Sequence, residues 1–490
     1  MFANDVPTFS KEIGQNKKET LLLFAFYFAV SSAIAAWSGQ AIGQGENLRY
    51  ELGKRVQRYE KFWETADKKS RAASTDAMER AVQEFFRLDL TKAAKNLDEA
   101  WLAMLPTPSV SQRNLAPVSL STSSPLIDAS QPTMVLTLKA VYPPVDPNWP
   151  SSASVEIELS PAGRIDPVQR QSMRVSVPSL PYQFEWKVDG LEPGDYQLSA
   201  TVYQNGMSHP VVGTQVSVVK EKQARLQAIR TWVDENKLAA KTSPLCTARM
   251  FGQQLLLADR GKDFECDLPM SSWLSEFESI AFSSPSFRPA NPSGRWQVLI
   301  DGKTEQVVRI QMPIKPAEKY TLVFAFHGAG GSENMFFETY GAGRFIELAK
   351  TRNWVVVCPR QGLLGLGISV SAMLPMLESE LGLSFDNVFL VGHSMGAAQA
   401  IEQVSKSGER IKAVAAIGGG GNPRKADALV KIPFYVSAGE RDFGRGSAIR
   451  LSDTLRAFGC KVDYSEFKDV EHLTIMQACL DELFKFLDHK

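Results

Sequence analysis

Apolar and polar positions fall into stretches of different period along the chain. From Glu46 to Leu105 the residues Val82, Phe85, Phe86, Ala93, Ala94, Leu97 and Trp101 recur at helical spacing in an Ala-, Glu-, Lys-, Arg- and Leu-rich background. That pattern predicts a helical hairpin over 46–105 with a break near Ser74 to Asp76. Pro, Ser, Thr and small residues dominate 106–132, a composition that builds no core of its own and reads as a linker. Alternating segments follow at Met134 to Val141, Ser154 to Leu159, Met173 to Val177, Tyr182 to Val188, Tyr196 to Tyr203 and Val211 to Val219, each bounded by turn residues. Short period-two strands at this spacing predict an antiparallel β-sandwich over 133–220. Lys220 to Leu238 reads as a helix, and the rest of 221–293 is a connecting region of helical and irregular character without a clear period.

From about Trp296 apolar runs alternate with helical patterns. The strands expected are Gln306 to Met312, Thr321 to Phe326, Trp354 to Cys358, Asn387 to Val391, Ile411 to Ile417, Ile432 to Ala438 and Lys461 to Phe467. The central ones are apolar throughout, as strands buried on both faces are. The fold class is therefore α/β: a mostly parallel sheet with helices on both faces over 294–490, preceded by the sandwich and the helical N-terminal region.

At the start of the chain, Lys17 and Lys18 precede an uncharged apolar run from Leu21 to Trp37, interrupted by Ser31 and Ser32, with small residues after it. This is the layout of a signal peptide over 1–41, cleaved after Ala41 or, through the Ala33 and Ala35 pair, after Ala35. Asp5, Glu12 and Glu19 offset the lysines, so an uncleaved anchor of marginal spanning length is the alternative. The expected location is periplasmic or extracellular, with membrane contact only through an uncleaved N-terminal segment.

The 490 residues include 54 acidic and 54 basic side chains. With a net charge of zero and no long basic run, nothing in the chain points to a phosphate backbone or an anionic membrane surface as the partner, and no nucleic acid is expected. No His and Cys cluster has zinc spacing and no G-x-x-x-x-G-K-S/T phosphate loop is present, so neither metal nor nucleotide cofactor is expected. Cys246 with Cys266 and Cys460 with Cys479 are the pairs that proximity favours for disulfides, while Cys358 ends an apolar strand; five core thiols is the competing reading.

The chemistry centres on Gly392-His393-Ser394-Met395-Gly396, which lies between the strand Val388 to Val391 and the helix-forming Ala397-Ala398-Gln399-Ala400. A G-x-S-x-G sequence in a strand–turn–helix context exposes its serine on a strained turn. Ser394 then needs a base, and the base needs a carboxylate. Of five histidines, His209 lies in the predicted sandwich, His327 and His393 lie inside glycine motifs and His489 is terminal, which leaves His472, after the last strand. Asp442, just beyond the strand Ile432 to Ala438, is the expected acid, with Glu440 as the fallback; the order Ser, Asp, His is that of α/β-hydrolases. The loop His327-Gly328-Ala329-Gly330-Gly331 follows a strand and is similar to the oxyanion loop of lipases and esterases, the amides of Ala329 and Met395 being the expected donors.

From HGAGG through GHSMG, GERD and the final histidine, the last third of the chain resembles the polyhydroxybutyrate depolymerase and feruloyl esterase branch of α/β-hydrolases. The resemblance implies a serine esterase acting on a small-molecule or polymer ester, carbohydrate-linked or polyester. Two alternatives stand beside it, a prolyl oligopeptidase-like peptidase and a non-catalytic scaffold with an inactive hydrolase domain. Leu191-Glu192-Pro193-Gly194-Asp195-Tyr196 resembles the tyrosine corner of immunoglobulin-like and fibronectin-like domains, which implies an accessory module. No segment between the strands reads as a lid. Gly418 to Gly421 is a candidate lining of an acyl pocket, and Arg360 and Arg441 are candidate partners for a substrate carboxylate, although a plain loop and structural ion pairs are the commoner explanations.

Overall fold

The computed structural model describes residues 48–144, 153–162, 171–204, 207–237, 242–257, 264–282, 294–362, 367–406, 410–424 and 427–490. The expected signal peptide or anchor lies outside them. No helix among the described residues is long and apolar enough to cross a membrane.

Three helices open the described chain: α1 (Leu48–Thr65), α2 (Lys68–Phe86) and α3 (Leu90–Ala103). The break expected near Ser74 is instead at Ala66 and Asp67, because Asp67 caps α2 through a 2.8 Å bond from the Ser70 amide. Asp89 caps α3 in the same way, accepting from the Lys92 amide at 3.0 Å. Residues 74 to 76 fall inside α2, where the Ser74 hydroxyl bonds back to Arg71 O at 2.7 Å and so has a partner within the helix.

The stretch 106–132 is not a linker. It forms α4 (Val110–Leu115), closed by a Ser109–Gln112 capping box, then β1 (Val118–Thr122) and β2 (Leu126–Asp128). Among its apolar residues Val118, Leu120 and Leu126 are fully buried, with β1 paired to β3 and β2 to the distant β8, a reward that local composition does not reveal. The strands β3 (Thr133–Ala140), β4 (Ser154–Pro161), β5 (Gln171–Ser176), β6 (Tyr182–Lys187), β7 (Gly194–Gln204) and β8 (Met207–Val219) follow. Their sheet order is β5-β4-β7-β8-β1-β3-β6, with β2 beside β8. Alternate residues of β1, β3 and β6 share one core with alternate residues of β4, β7 and β8. At the start of β7 the Tyr196 hydroxyl donates to Glu192 O at 2.7 Å, tying down the turn that precedes the strand.

Helices α5 (Lys222–Glu235), α6 (Ser243–Leu257) and α7 (Met270–Phe282) pack together against Trp296 and Val298 of β9 (Arg295–Asp301). Then come β10 (Thr304–Gln311), β11 (Tyr320–Phe326), α8 (Arg344–Thr351), β12 (Val355–Pro359), α9 (Val370–Leu381), β13 (Phe385–His393), α10 (Met395–Lys406), β14 (Ile411–Ile417), β15 (Phe434–Gly439), α11 (Arg445–Ala457), β16 (Val462–Phe467) and α12 (Leu480–Asp488). The eight strands form one sheet in the order β16-β15-β14-β13-β11-β12-β10-β9, parallel from β16 to β12 and antiparallel beyond. Leu322 and Phe324 of β11 face α9, α10 and α11 on one side. Val323 and Ala325 face α8, α12 and the N-terminal helices α1 to α3 on the other. This mixed arrangement fits an α/β-hydrolase.

All five cysteines are buried and none forms a disulfide, so the core-thiol reading describes the structure and the two proposed bridges do not.

Buried charge joins the N-terminal helices to β1. Arg55 of α1 is 1% exposed. It donates to Asp98 of α3 at 3.1 Å, to Pro117 O at 3.1 Å and to Ser119 Oγ of β1 at 3.2 Å, and it pairs with Glu51 at 2.5 Å. A guanidinium so far from water is tolerable only because its donors are met in this way.

Candidate active site

Between the end of β13 and the start of α10 stands a single residue, Ser394. Its φ is +57°, the left-handed region that a serine occupies only when its surroundings hold it there. Its amide donates to Ile417 O of β14 at 2.9 Å. Glycine is required on both sides of the turn: a Cβ at Gly392 would lie 2.0 Å from Gly396 O, and one at Gly396 would lie 2.0 Å from Phe326 O.

Ser394, His472 and Asp442 come together at the C-terminal edge of the sheet. The serine hydroxyl donates to His472 Nε2 at 2.9 Å, and His472 Nδ1 donates to Asp442 Oδ1 at 2.7 Å. Because a carboxylate only accepts, Nδ1 carries the hydrogen and the Nε2 lone pair is turned to the serine. Asp442 is held in turn by the Gly444 amide at 2.6 Å. Glu440, the fallback acid, accepts from the Asp469 amide at 3.2 Å instead of from the histidine. The ring of Phe443 lies over the imidazole of His472, centroids 3.8 Å apart, and His393 supports it from another side at 4.9 Å.

A chain of hydrogen bonds links the glycine loop, the elbow and the base. His393 Nε2 faces His472 O at 2.7 Å, and a carbonyl can only accept, so Nε2 is the protonated nitrogen. Burial first, and then the neighbouring His472, push the His393 pKa well below its ordinary value, which keeps the ring neutral and leaves Nδ1 as an acceptor. Tyr340 donates its hydroxyl to that Nδ1 at 2.8 Å and accepts the Gly328 N–H at 3.1 Å. Desolvation raises the Tyr340 pKa, so the phenol stays a donor. With the Gly328 amide spent on Tyr340, Ala329 is the next amide of the loop, and it borders the same cavity as Ser394. Met395 follows Ser394 as the first residue of α10, where a helix has amides to spare.

Ser394 and His472 line a cavity of about 120 Å³ whose other walls are the loop from Gly328 to Gly331 and the inner faces of α1, α2 and α3. The N-terminal helices therefore cover the serine, the part that a lid inserted between strands would otherwise play. Contact with the glycine loop is close: a Cβ at Gly330 would lie 2.8 Å from the ring of Phe85. Arg441 fastens α2 to this edge through Glu79 at 2.7 Å and Asp76 at 3.0 Å, and Arg360 is paired with Glu333 at 2.6 Å, so both arginines are engaged by the protein's own carboxylates. The run Gly418 to Gly421 packs behind the elbow, where a Cβ at Gly419 would lie 2.5 Å from Ser394 O. Tyr340, Phe443 and the position of the N-terminal helices over the serine were not read from sequence. Phe443 adjoins Asp442 in GERDF and could have been found, whereas nothing local marks Tyr340.

No protein-family model matches the chain, and no curated protein matches it. Solved structures overlap parts of it. A thermostable esterase has 12% identity and a TM-score of 0.36, covering 76% of this chain and 99% of its own. The feruloyl esterase module from Clostridium thermocellum, solved with sinapinate, has 13% identity and a TM-score of 0.34 over 40% of this chain and 92% of its own. An S-formylglutathione hydrolase from Agrobacterium tumefaciens has 16% identity and a TM-score of 0.32 over 41% and 97%.

Proposed function

We propose that the chain is a serine hydrolase that cleaves carboxylic esters through an acyl-enzyme. The observation that carries this reading is the hydrogen-bonded series from Ser394 through His472 to Asp442, at 2.9 and 2.7 Å, with the serine held at a left-handed φ on a strand-to-helix turn.

In this mechanism Ser394 Oγ attacks the ester carbonyl carbon while His472 Nε2 takes its proton, and the imidazolium so formed is stabilised by Asp442. The negative charge that develops on the carbonyl oxygen is met by the amides of Ala329 and Met395. Collapse expels the alcohol, which receives the proton from His472. A water then gives a proton to His472 as it attacks the acyl-enzyme, and the acid leaves as Ser394 regains its hydrogen.

The same reading makes 294–490 the catalytic domain, 133–220 an immunoglobulin-like accessory module and 1–41 an export signal or anchor. The period-two strands and the Tyr196 bond support the module, and the apolar run after Lys17 and Lys18 supports export.

The test is fluorophosphonate labelling of the purified protein beside Ser394→Ala, with release from short-chain p-nitrophenyl esters followed in parallel. Labelling and turnover in the wild type that both vanish in the variant are expected. A folded wild type that neither labels nor turns over would sink the hydrolase reading in favour of a scaffold.

A further inference from the structure

We infer that the N-terminal helices form the acyl site, and that the preferred substrate is an ester of a compact, uncharged, apolar acid of about six carbons. This deepens the hydrolase reading and rests on it.

Consider first which side of the serine each half of an ester must occupy. The leaving alcohol takes its proton from His472, so it lies on the His472 side. There Phe443, 58% exposed, lies over the His472 ring, so that side opens to solvent. With the alcohol at that open side and the carbonyl oxygen at Ala329 and Met395, the acyl group is left the apolar end of the cavity, beneath α1, α2 and α3.

That cavity selects by polarity and by size. Its inner wall includes Val56, Met78, Ala81, Ala93 and Leu97, all buried. The charges on its border, Arg49 and Glu265, are paired with each other at 2.9 Å, and Glu265 also accepts from Ser332, so neither sign of charge is left to receive a charged acid. The volume of about 120 Å³ is close to that of apolar cavities of about 150 Å³ that admit a benzene ring. A hexanoyl or benzoyl group fits such a space, an acetyl group leaves much of it empty, and a long fatty chain overruns it.

The helices, not the sheet, set the limit, so substitutions on α2 should move it in both directions. The measurement is kcat/KM of the full chain on p-nitrophenyl acetate, hexanoate and decanoate, with folding followed by circular dichroism and Ser394 reactivity by fluorophosphonate labelling. The wild type should favour hexanoate. Ala81→Leu fills the cavity and should lower the hexanoate-to-acetate ratio by at least about tenfold, one methylene in an apolar pocket counting for about 10- to 200-fold. Met78→Ala enlarges it and should raise the decanoate-to-hexanoate ratio by a similar factor, and it decides alone if Ala81→Leu does not fold. A labelled, active wild type that prefers acetate or decanoate, or folded and labelled variants with unmoved ratios, would overturn the acyl-site assignment while leaving the hydrolase intact. A wild type that neither labels nor turns over would overturn both.

Discussion

Replacing Tyr340 by Phe removes one oxygen from the middle of the site and leaves the ring that packs on Phe336 and His393 in place. That oxygen serves two buried groups, the Gly328 amide at 3.1 Å and His393 Nδ1 at 2.8 Å. Each buried group left without its partner costs about 1–3 kcal/mol. Because His393 keeps its Nε2 bond to His472 O, a total of about 2–4 kcal/mol is expected, the lower half of the summed range. Urea unfolding should therefore show an earlier midpoint with an unchanged slope. The kinetic effect is separate. Gly328 adjoins the proposed oxyanion donor Ala329, and a displacement of about 1 Å near the reacting atoms costs about 10²-fold. The loss should fall on kcat, with KM nearly constant, since the oxyanion contact forms in the transition state and not in the bound ester. A Tyr340→Phe protein within about 0.5 kcal/mol of wild type and with the same kcat would refute the network and reduce Tyr340 to a space-filling ring.

Two further outcomes follow from neighbouring features. Gly396→Ala would place a methyl 2.0 Å from Phe326 O, so the elbow must open; fluorophosphonate labelling of the soluble protein should drop at least about a hundredfold, and normal labelling would show that the turn is more tolerant than its geometry implies. Glu60 on α1 is fully buried, and desolvation, with Glu471 nearby, raises its carboxyl well above the usual range. The folded state thus keeps a proton that the unfolded chain releases above about pH 4.3, so this group's contribution to stability falls as pH rises, by at most about 1.4 kcal/mol per unit. Glu60→Gln does not titrate; its stability relative to wild type should climb from about pH 5 to about pH 7, and a difference that stays flat would rule out the shifted carboxyl.

What the sequence revealed follows the range of the interactions concerned. The elbow is a local object: strand, left-handed serine and helix are consecutive, and the two close approaches demand glycine at Gly392 and Gly396. Asp442 and His472 lie just after strands of a parallel sheet, positions that strand patterning and chain order make legible, and the fold brings both to Ser394. Tyr340 reaches His393 across 53 positions, and no periodic signal encodes such a pairing. The apolar stripe of the N-terminal helices announced that a face would be buried and could not say that it would be buried over Ser394. Composition misled at 106–132, where β1 and β2 gain their burial from strands β3 and β8.

The covering of the serine by α1 to α3 also fixes an order of events in synthesis. These helices leave the ribosome early, yet they lean on segments made late: the Thr75 hydroxyl donates to Asp469 O at 2.6 Å across 394 positions, and Gln477 donates to Glu60 O at 3.1 Å. At usual elongation rates the gap corresponds to roughly 20 to 80 s, during which the apolar stripe has no sheet to rest on. The nascent chain thus carries its apolar helix stripe without the sheet that covers it for most of its translation, and the cluster of Ser394, Asp442 and His472 is assembled only after the C-terminal strands have emerged.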